Sequence, residues 1–357
     1  MTSQKTIESA LRAAPSKGVF LDLCLQHHTP DVIIDRAALR AYAATLKPLP
    51  PADIWGAYLG KNAFLKTDFR ELAVSTVQQG GYLYPGEDGS IKCWAVGTDE
   101  VRALLDRVDD ARAQNMLPGV QQRSPAKTRR VLRDHFNEAP YAAERLDRWA
   151  ELAGPDNQRK IAAVLDDARE KGGKAHGKRG YHFDFSHLKG LCAALPEGLG
   201  EDPFMKKAAL LCILFAGVAG AKKNPVPVTL DLIVPADWRD PQTLHNTGVL
   251  RYSDALVERL DDGALLDQSD PYVTQIRVAT VAAGHMTMKH RPDLTLQDID
   301  GAWWFAGRLF DGPAETLSPE QGKIRTALES IAASSPFSAA GYLRVAKRAM
   351  NVATLRF

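Results

Sequence analysis

The 357-residue chain carries 45% hydrophobic and 25% charged side chains, the balance of a globular protein with a sizeable core and not of a disordered one. A formal net charge of +2 argues against coating of long nucleic acid by bulk electrostatics, and the local basic segments at 123–133 and 170–179 read first as a solvated helix face and a loop. Cys24, Cys93, Cys192 and Cys212 form no C-x-x-C pair, so they read as reduced, mostly buried thiols and not as zinc ligands or a disulfide scaffold. The start of the chain has no signal or transit pattern and no apolar run approaches a bilayer span, so the expected location is the cytoplasm.

In chain order, Val32-Ile-Ile-Asp35 precedes a helical period over 36–46. Between Gly80 and Val96, Tyr82-Leu-Tyr84, a Gly86-to-Gly89 turn and Ile-Lys-Cys-Trp-Ala-Val predict a short hairpin. Helical spacing follows over 101–114, 128–136, 142–152 and 156–171, and the glycine-rich, charged segment 172–180 is the expected lobe boundary. A buried helix over 204–218 should end in a Gly217-x-x-Gly220 turn, after which an apolar run leads to Asp237 at a helix start. Further helices are expected over 253–260, 271–290 and 296–310. The expected fold is mainly α with a small β element, an N-terminal capping lobe over 1–175 and a helical lobe over 176–357 that carries Asp237.

From the residues alone, Asp237 is a helix N-cap set in a water-excluding context of Pro235, Ala236 and Trp238. Asp300 stands three and four residues before Trp303 and Trp304, on an apolar helix face where a carboxylate needs a partner, either a base or Arg251 or Arg277. Asp298 is expected to close a capping box with Thr295. Lys206 and Lys207 open the buried helix, and Tyr82, Tyr84, Trp238 and Tyr252 are aromatic groups able to stack on a planar base. No histidine spacing resembles a metal site and no cofactor is implied; His245 is a general-acid candidate.

The order helix, Gly-x-x-Gly turn, apolar run and aspartate resembles the helix-hairpin-helix glycosylases. More specifically, Ala236-Asp-Trp-Arg-x-Pro-Gln-x-Leu244, Gly248-x-Leu-Arg-Tyr-Ser253, Gln275-Ile-Arg277 and Leu296-x-x-Ile-Asp-Gly-Ala-Trp-Trp304 resemble the C-terminal half of the queuosine salvage family. Val32 to Asp35, Trp55, Tyr82 to Tyr84 before Lys92-Cys93, and Phe204-x-Lys206 fall in the same order. The departures, Val77-Gln-Gln-Gly-Gly-Tyr82 and Leu59 in the N-terminal half and an aromatic near Phe305, lie mostly on the substrate-facing side.

That resemblance implies a queuosine 5′-phosphate N-glycosidase acting on a small-molecule nucleotide, with a helix-hairpin-helix, DNA-glycosylase-like lobe. Cleaving an N-glycosidic bond builds positive charge on the sugar, so a fixed carboxylate must stand by it; the resemblance gives this role to Asp237. It makes Tyr82, Tyr84 and Trp238 pocket walls, places Asp300, Trp304, Arg251 and Tyr252 toward the base, and puts Lys206 near the phosphate. The alternative is an enzyme or binding module for a 7-deazaguanine-type base in DNA or RNA, which would need the base flipped out and the basic segments on the backbone.

Overall fold

The computed structural model describes residues 4–27, 29–48, 69, 73, 76–77, 80–85, 91–96, 142–175, 178–221, 225–261, 266–309 and 326. They are mainly helical, with four two-stranded sheets among them. Internal contacts divide the chain into two compact units, Met1–Pro50 with Ile233–Val352, and Pro51–Leu232 with Ala353–Phe357. The glycine-rich segment 172–180, expected as the lobe boundary, lies inside the second unit. Gly172 and Gly180 serve close backbone approach: a Cβ on Gly172 would come within 2.2 Å of the Gly180 carbonyl oxygen, and one on Gly180 within 2.4 Å of the Pro227 carbonyl oxygen.

The chain opens in the first unit with α1 (Gln4–Ala13), α2 (Lys17–Gln26), β1 (Val32–Ile34) and α3 (Arg36–Thr45). Asp35 caps α3 by accepting from the Ala37 and Ala38 amides at 2.9 and 3.0 Å, which is why the helix begins where it does.

The second unit holds β2 (Gly80–Pro85) and β3 (Ile91–Val96), an antiparallel hairpin at the expected place, with Tyr82 opposite Trp94 and Tyr84 opposite Lys92. The helices expected over 101–114 and 128–136 lie outside the described residues. Next come α4 (Ala142–Ala153), α5 (Pro155–Lys171), the short pair β4 (Lys174–Ala175) and β5 (Lys178–Arg179), β6 (Tyr181–Asp184), α6 (Phe185–Ala194) and a π-helical turn over Pro196–Gly200. α7 (Lys206–Ala221) is buried along nearly its whole length and leads to β7 (Val228–Asp231), which pairs in parallel with β6. Gly217 and Gly220, expected to form a hairpin turn, are instead helical residues in α7. A helix packed on nearly every side gains more from burial than the ~1 kcal/mol each glycine costs it. Phe69, Tyr181, Phe183 and Phe215 form an aromatic cluster in this unit, with ring centroids 5.1 to 6.1 Å apart.

The chain then returns to the first unit as α8 (Arg239–Asn246), β8 (Leu250–Tyr252), α9 (Asp254–Asp261), α10 (Pro271–His290) and α11 (Leu296–Leu309). β8 pairs antiparallel with β1, Val32 facing Tyr252, so the N-terminal strand belongs with the C-terminal helices. Asp31 fastens this join, accepting from Ser253 Oγ at 2.8 Å and Gln275 Nε2 at 3.2 Å. α10 is the central helix, buried from Val273 to Gly284, and α2, α3, β1, α8 and α11 pack on it. Asp270 and Pro271 start it, and Lys289 and His290 occupy its last turn, the charge arrangement a helix dipole favours.

Candidate functional site

The segment Leu232–Ala236 is buried, and Asp237 at its end is half-buried. One oxygen of Asp237, Oδ1, accepts from the Arg239 amide at 2.7 Å and the Asp240 amide at 3.2 Å, so the side chain, one residue ahead of the N-cap Trp238, holds the first two amides of α8 and its carboxylate is fixed at the positive end of a helix. The backbone leading to it is fixed as well. Arg277 of α10, 2% exposed, donates from Nε to the Ala236 carbonyl at 2.8 Å. Arg277, one of the arginines expected near Asp300, is through this hydrogen bond an anchor for the residue before Asp237.

On the other side of Asp237, α8 packs on α11. The Arg239 guanidinium lies over the half-buried Trp238 ring, 3.9 Å from its centroid, and Nη1 donates to Gln242 Oε1 at 3.0 Å. Thr243 Oγ1 donates to the Trp303 carbonyl at 2.6 Å. Trp303 is 0% exposed and belongs to the core, whereas Asp300 and Trp304, four residues apart, share a half-buried face. Thr295 and Asp298 form the expected capping box of α11: Asp298 Oδ2 accepts from the Thr295 amide at 2.8 Å, and Thr295 Oγ1 accepts from the Asp298 amide at 3.2 Å.

β8 supplies Arg251, half-buried, and Tyr252, 9% exposed. Tyr252 stacks on His245 with ring centroids 4.0 Å apart and planes 4° apart, and the His245 Nδ1 lies 2.9 Å from the Leu250 carbonyl. That contact gives Nδ1 the proton and makes His245 part of the α8–β8 packing. Asp240 is 1% exposed, and burial together with its charge pushes the Tyr42 phenol well above its ordinary range. Neither Asp240 nor Tyr42 stood out in the sequence.

In the second unit, Lys206 and Lys207 open α7 as expected. Asp202, 2% exposed, caps this start by accepting from the Phe204 and Lys206 amides at 3.1 and 2.9 Å. Met205, just before Lys206, has a left-handed backbone with φ 51°, a conformation that costs a non-glycine residue on the order of 1–2 kcal/mol. Lys206 is 7% exposed; Lys207 is fully buried and donates to the Val77 carbonyl at 3.2 Å. Burial first, then the charges of Arg148, Lys206 and Arg145, push the Lys207 amine well below its ordinary value, against the opposing charge of Asp202. Tyr82 and Tyr84 lie on β2, whose backbone alone is described, and Trp55 and Leu59 fall outside the described residues.

Among the described residues no group of three or more His, Cys, Asp or Glu side chains could hold a metal ion, and no helix is long and apolar enough to cross a membrane. Residues 204–295 match the family described as Queuosine salvage protein. No curated protein matches the chain. The matched segment runs from the start of α7 through α10 and contains Lys206, Asp237, Trp238, Arg251, Tyr252 and Arg277; Asp300 and Trp304 follow it, and Tyr82 and Tyr84 precede it.

Proposed function

We propose that this chain is an N-glycosidase that hydrolyses the N-glycosidic bond of a 7-deazapurine nucleotide, queuosine 5′-phosphate or a relative, and releases the base. One observation carries the reading: within the segment that matches the queuosine salvage family, Asp237 presents a half-buried carboxylate held by two backbone amides and anchored from behind by Arg277. A pre-set carboxylate in a partly dry setting stabilises an oxocarbenium-like transition state without reorganising when the charge appears. Water then attacks the anomeric carbon, the C–N bond breaks, and its electron pair leaves with the base, which takes up a proton.

In this reading Trp238 and Trp304 stack beside the base, Asp300 accepts hydrogen bonds from its N–H groups, and Arg251 with Tyr252 completes that side. Lys206 binds the 5′-phosphate, and the strained Met205 before it, held by the Asp202 cap, supports a functional aim for that side chain. Tyr82 and Tyr84 form a further aromatic wall. The test is a panel of 7-deazapurine nucleosides, their 5′-monophosphates and DNA bearing such bases, with released base read by mass spectrometry. Release from the monophosphates supports the reading; release from modified DNA alone would replace it with a nucleic-acid substrate.

A further inference from the structure

A glycine on α11 and an arginine on α8 meet at one point. A Cβ built on Gly307 would lie 2.5 Å from Arg239 Cδ, 2.9 Å from Arg239 Cγ and 2.9 Å from Thr243 Oγ1. Those atoms are the stem of the arginine and a hydroxyl already engaged with the Trp303 carbonyl, so neither can swing away without loss. The stem thus lies across bare helix backbone, with Nη1 also reaching toward the Gly307 carbonyl at 3.5 Å. Past that crossing the guanidinium covers one face of the Trp238 indole, 3.9 Å from its centroid, and Nη1 is tied to Gln242 Oε1 at 3.0 Å. The backbone amide of the same residue holds the Asp237 carboxylate at 2.7 Å. Arg239 is 9% exposed.

We propose that Arg239 is a positioning residue, seated by Gly307, that fixes the Trp238 indole and the Asp237 carboxylate relative to each other so that the ring acts as a stacking wall beside the reacting centre. The inference rests on the reading of Asp237 and Trp238 as parts of the base site. Arg239 is buried against α11, with its guanidinium over the indole and bonded to Gln242, and from there it orients the wall. A guanidinium backing one face also draws electron density from the indole, which favours an electron-rich heteroaromatic base on the site side, the character of a 7-deazapurine. The sequence has six tryptophans, so the Trp238 signal must be isolated by difference.

The experiment takes the emission of Trp238 as the parent spectrum minus that of Trp238→Phe, in the full chain and in Gly307→Ala, Arg239→Lys and Arg239→Met, with circular dichroism confirming the fold of each. Gly307→Ala and Arg239→Met should each change the Trp238 emission and lower kcat/KM on the order of 10- to 10²-fold, a misplacement effect. Arg239→Lys, which keeps a cation over the ring, should restore part of both. Adding Gly307→Ala to Arg239→Ala should cost less than Gly307→Ala costs alone, since alanine lacks the Cγ and Cδ that the new Cβ meets and the two act through one contact. Unchanged Trp238 emission in both Gly307→Ala and Arg239→Met, or losses that simply add, would overturn the proposal. Should the parent protein turn over no 7-deazapurine nucleotide, the functional reading fails, while the emission and the same cycle measured on melting temperature still decide the role of Arg239.

Discussion

Replacing Arg277 by Met keeps an unbranched apolar stem while removing the guanidinium that holds the Ala236 carbonyl. Hydrogen bonds from a charged donor contribute about 1.5–3 kcal/mol, and stranding an acceptor costs about 1–3 kcal/mol. Both apply here, because Arg277 is 2% exposed and Ala236 is 0% exposed, leaving little water to replace the donor. Losing a buried guanidinium also removes its own desolvation cost, which offsets part of that sum. The net loss for Arg277→Met should be about 2 kcal/mol, or a fall of about 1 M in the urea midpoint at an ordinary slope for this size. Urea titration followed by tryptophan emission measures it, since Trp238, Trp303 and Trp304 all lie in the first unit. Because Ala236 immediately precedes Asp237, turnover at low urea should fall on the order of tenfold or more even where the protein is fully folded. A midpoint within about 0.2 M of the parent, with parental turnover, would show that Arg277 does not anchor the Asp237 loop.

Lys207→Met bears on the pH dependence of stability. The folded-state pKa of Lys207 lies below its unfolded value of about 10.4, so between those two values the unfolded chain binds more protons and stability rises with pH. The variant should show a flatter rise toward pH 10 in thermal melts, and a profile parallel to the parent would contradict the assignment. Asp300→Ala should weaken binding of the free base by about 2–5 kcal/mol in calorimetry, because ligand donors are left without an acceptor; a loss under about 0.5 kcal/mol would remove Asp300 from base recognition. Lys206→Ala should raise KM for 5′-monophosphates far more than for the matching nucleosides, and equal effects on both would rule out phosphate binding by Lys206.

Local signals in the sequence placed much of the fold. Pro271 to His290 reads as a helix because a start cap, an apolar period and basic closing residues agree, and the structure bounds α10 at the same residues. The hairpin over 80–96 and the Thr295–Asp298 capping box were legible for the same reason: each depends on residues close in sequence. α2 was not, since Phe20, Leu21 and Cys24 sit among further apolar residues and leave no clean helical stripe. The parallel pairing of β6 with β7 joins short, partly polar strands separated by α6 and α7, which no local pattern announces. Gly217 and Gly220 misled because a turn residue was weighed by its intrinsic preference while burial of α7 decided the outcome.

At the site, Asp237 was visible as a capping residue in an apolar setting; the N-cap falls one residue later, at Trp238, while Asp237 Oδ1 still accepts from the first two amides of α8. What holds it there was hidden. Arg277 stands forty residues downstream and reaches Ala236 only through the packing of α10, and Gly307 matters only because α8 lies across it. Asp202 carried a readable signal, an acidic residue ahead of the Lys206 helix, that a search for caps would have found.

The central claim, that Asp237 is the carboxylate of an N-glycosidase, is tested most directly by comparing the parent chain with Asp237→Asn on 7-deazapurine nucleoside 5′-monophosphates, with free base measured by mass spectrometry. Asparagine caps a helix about as well as aspartate, so the variant should keep the parental melting temperature and the amide contacts at Arg239 and Asp240. The account predicts base release by the parent and a loss of roughly 10²–10⁴ in turnover for the variant, about 3–5 kcal/mol of transition-state stabilisation. Near-parental turnover by a fully folded Asp237→Asn, or no base released by the parent from any member of the series, would contradict it.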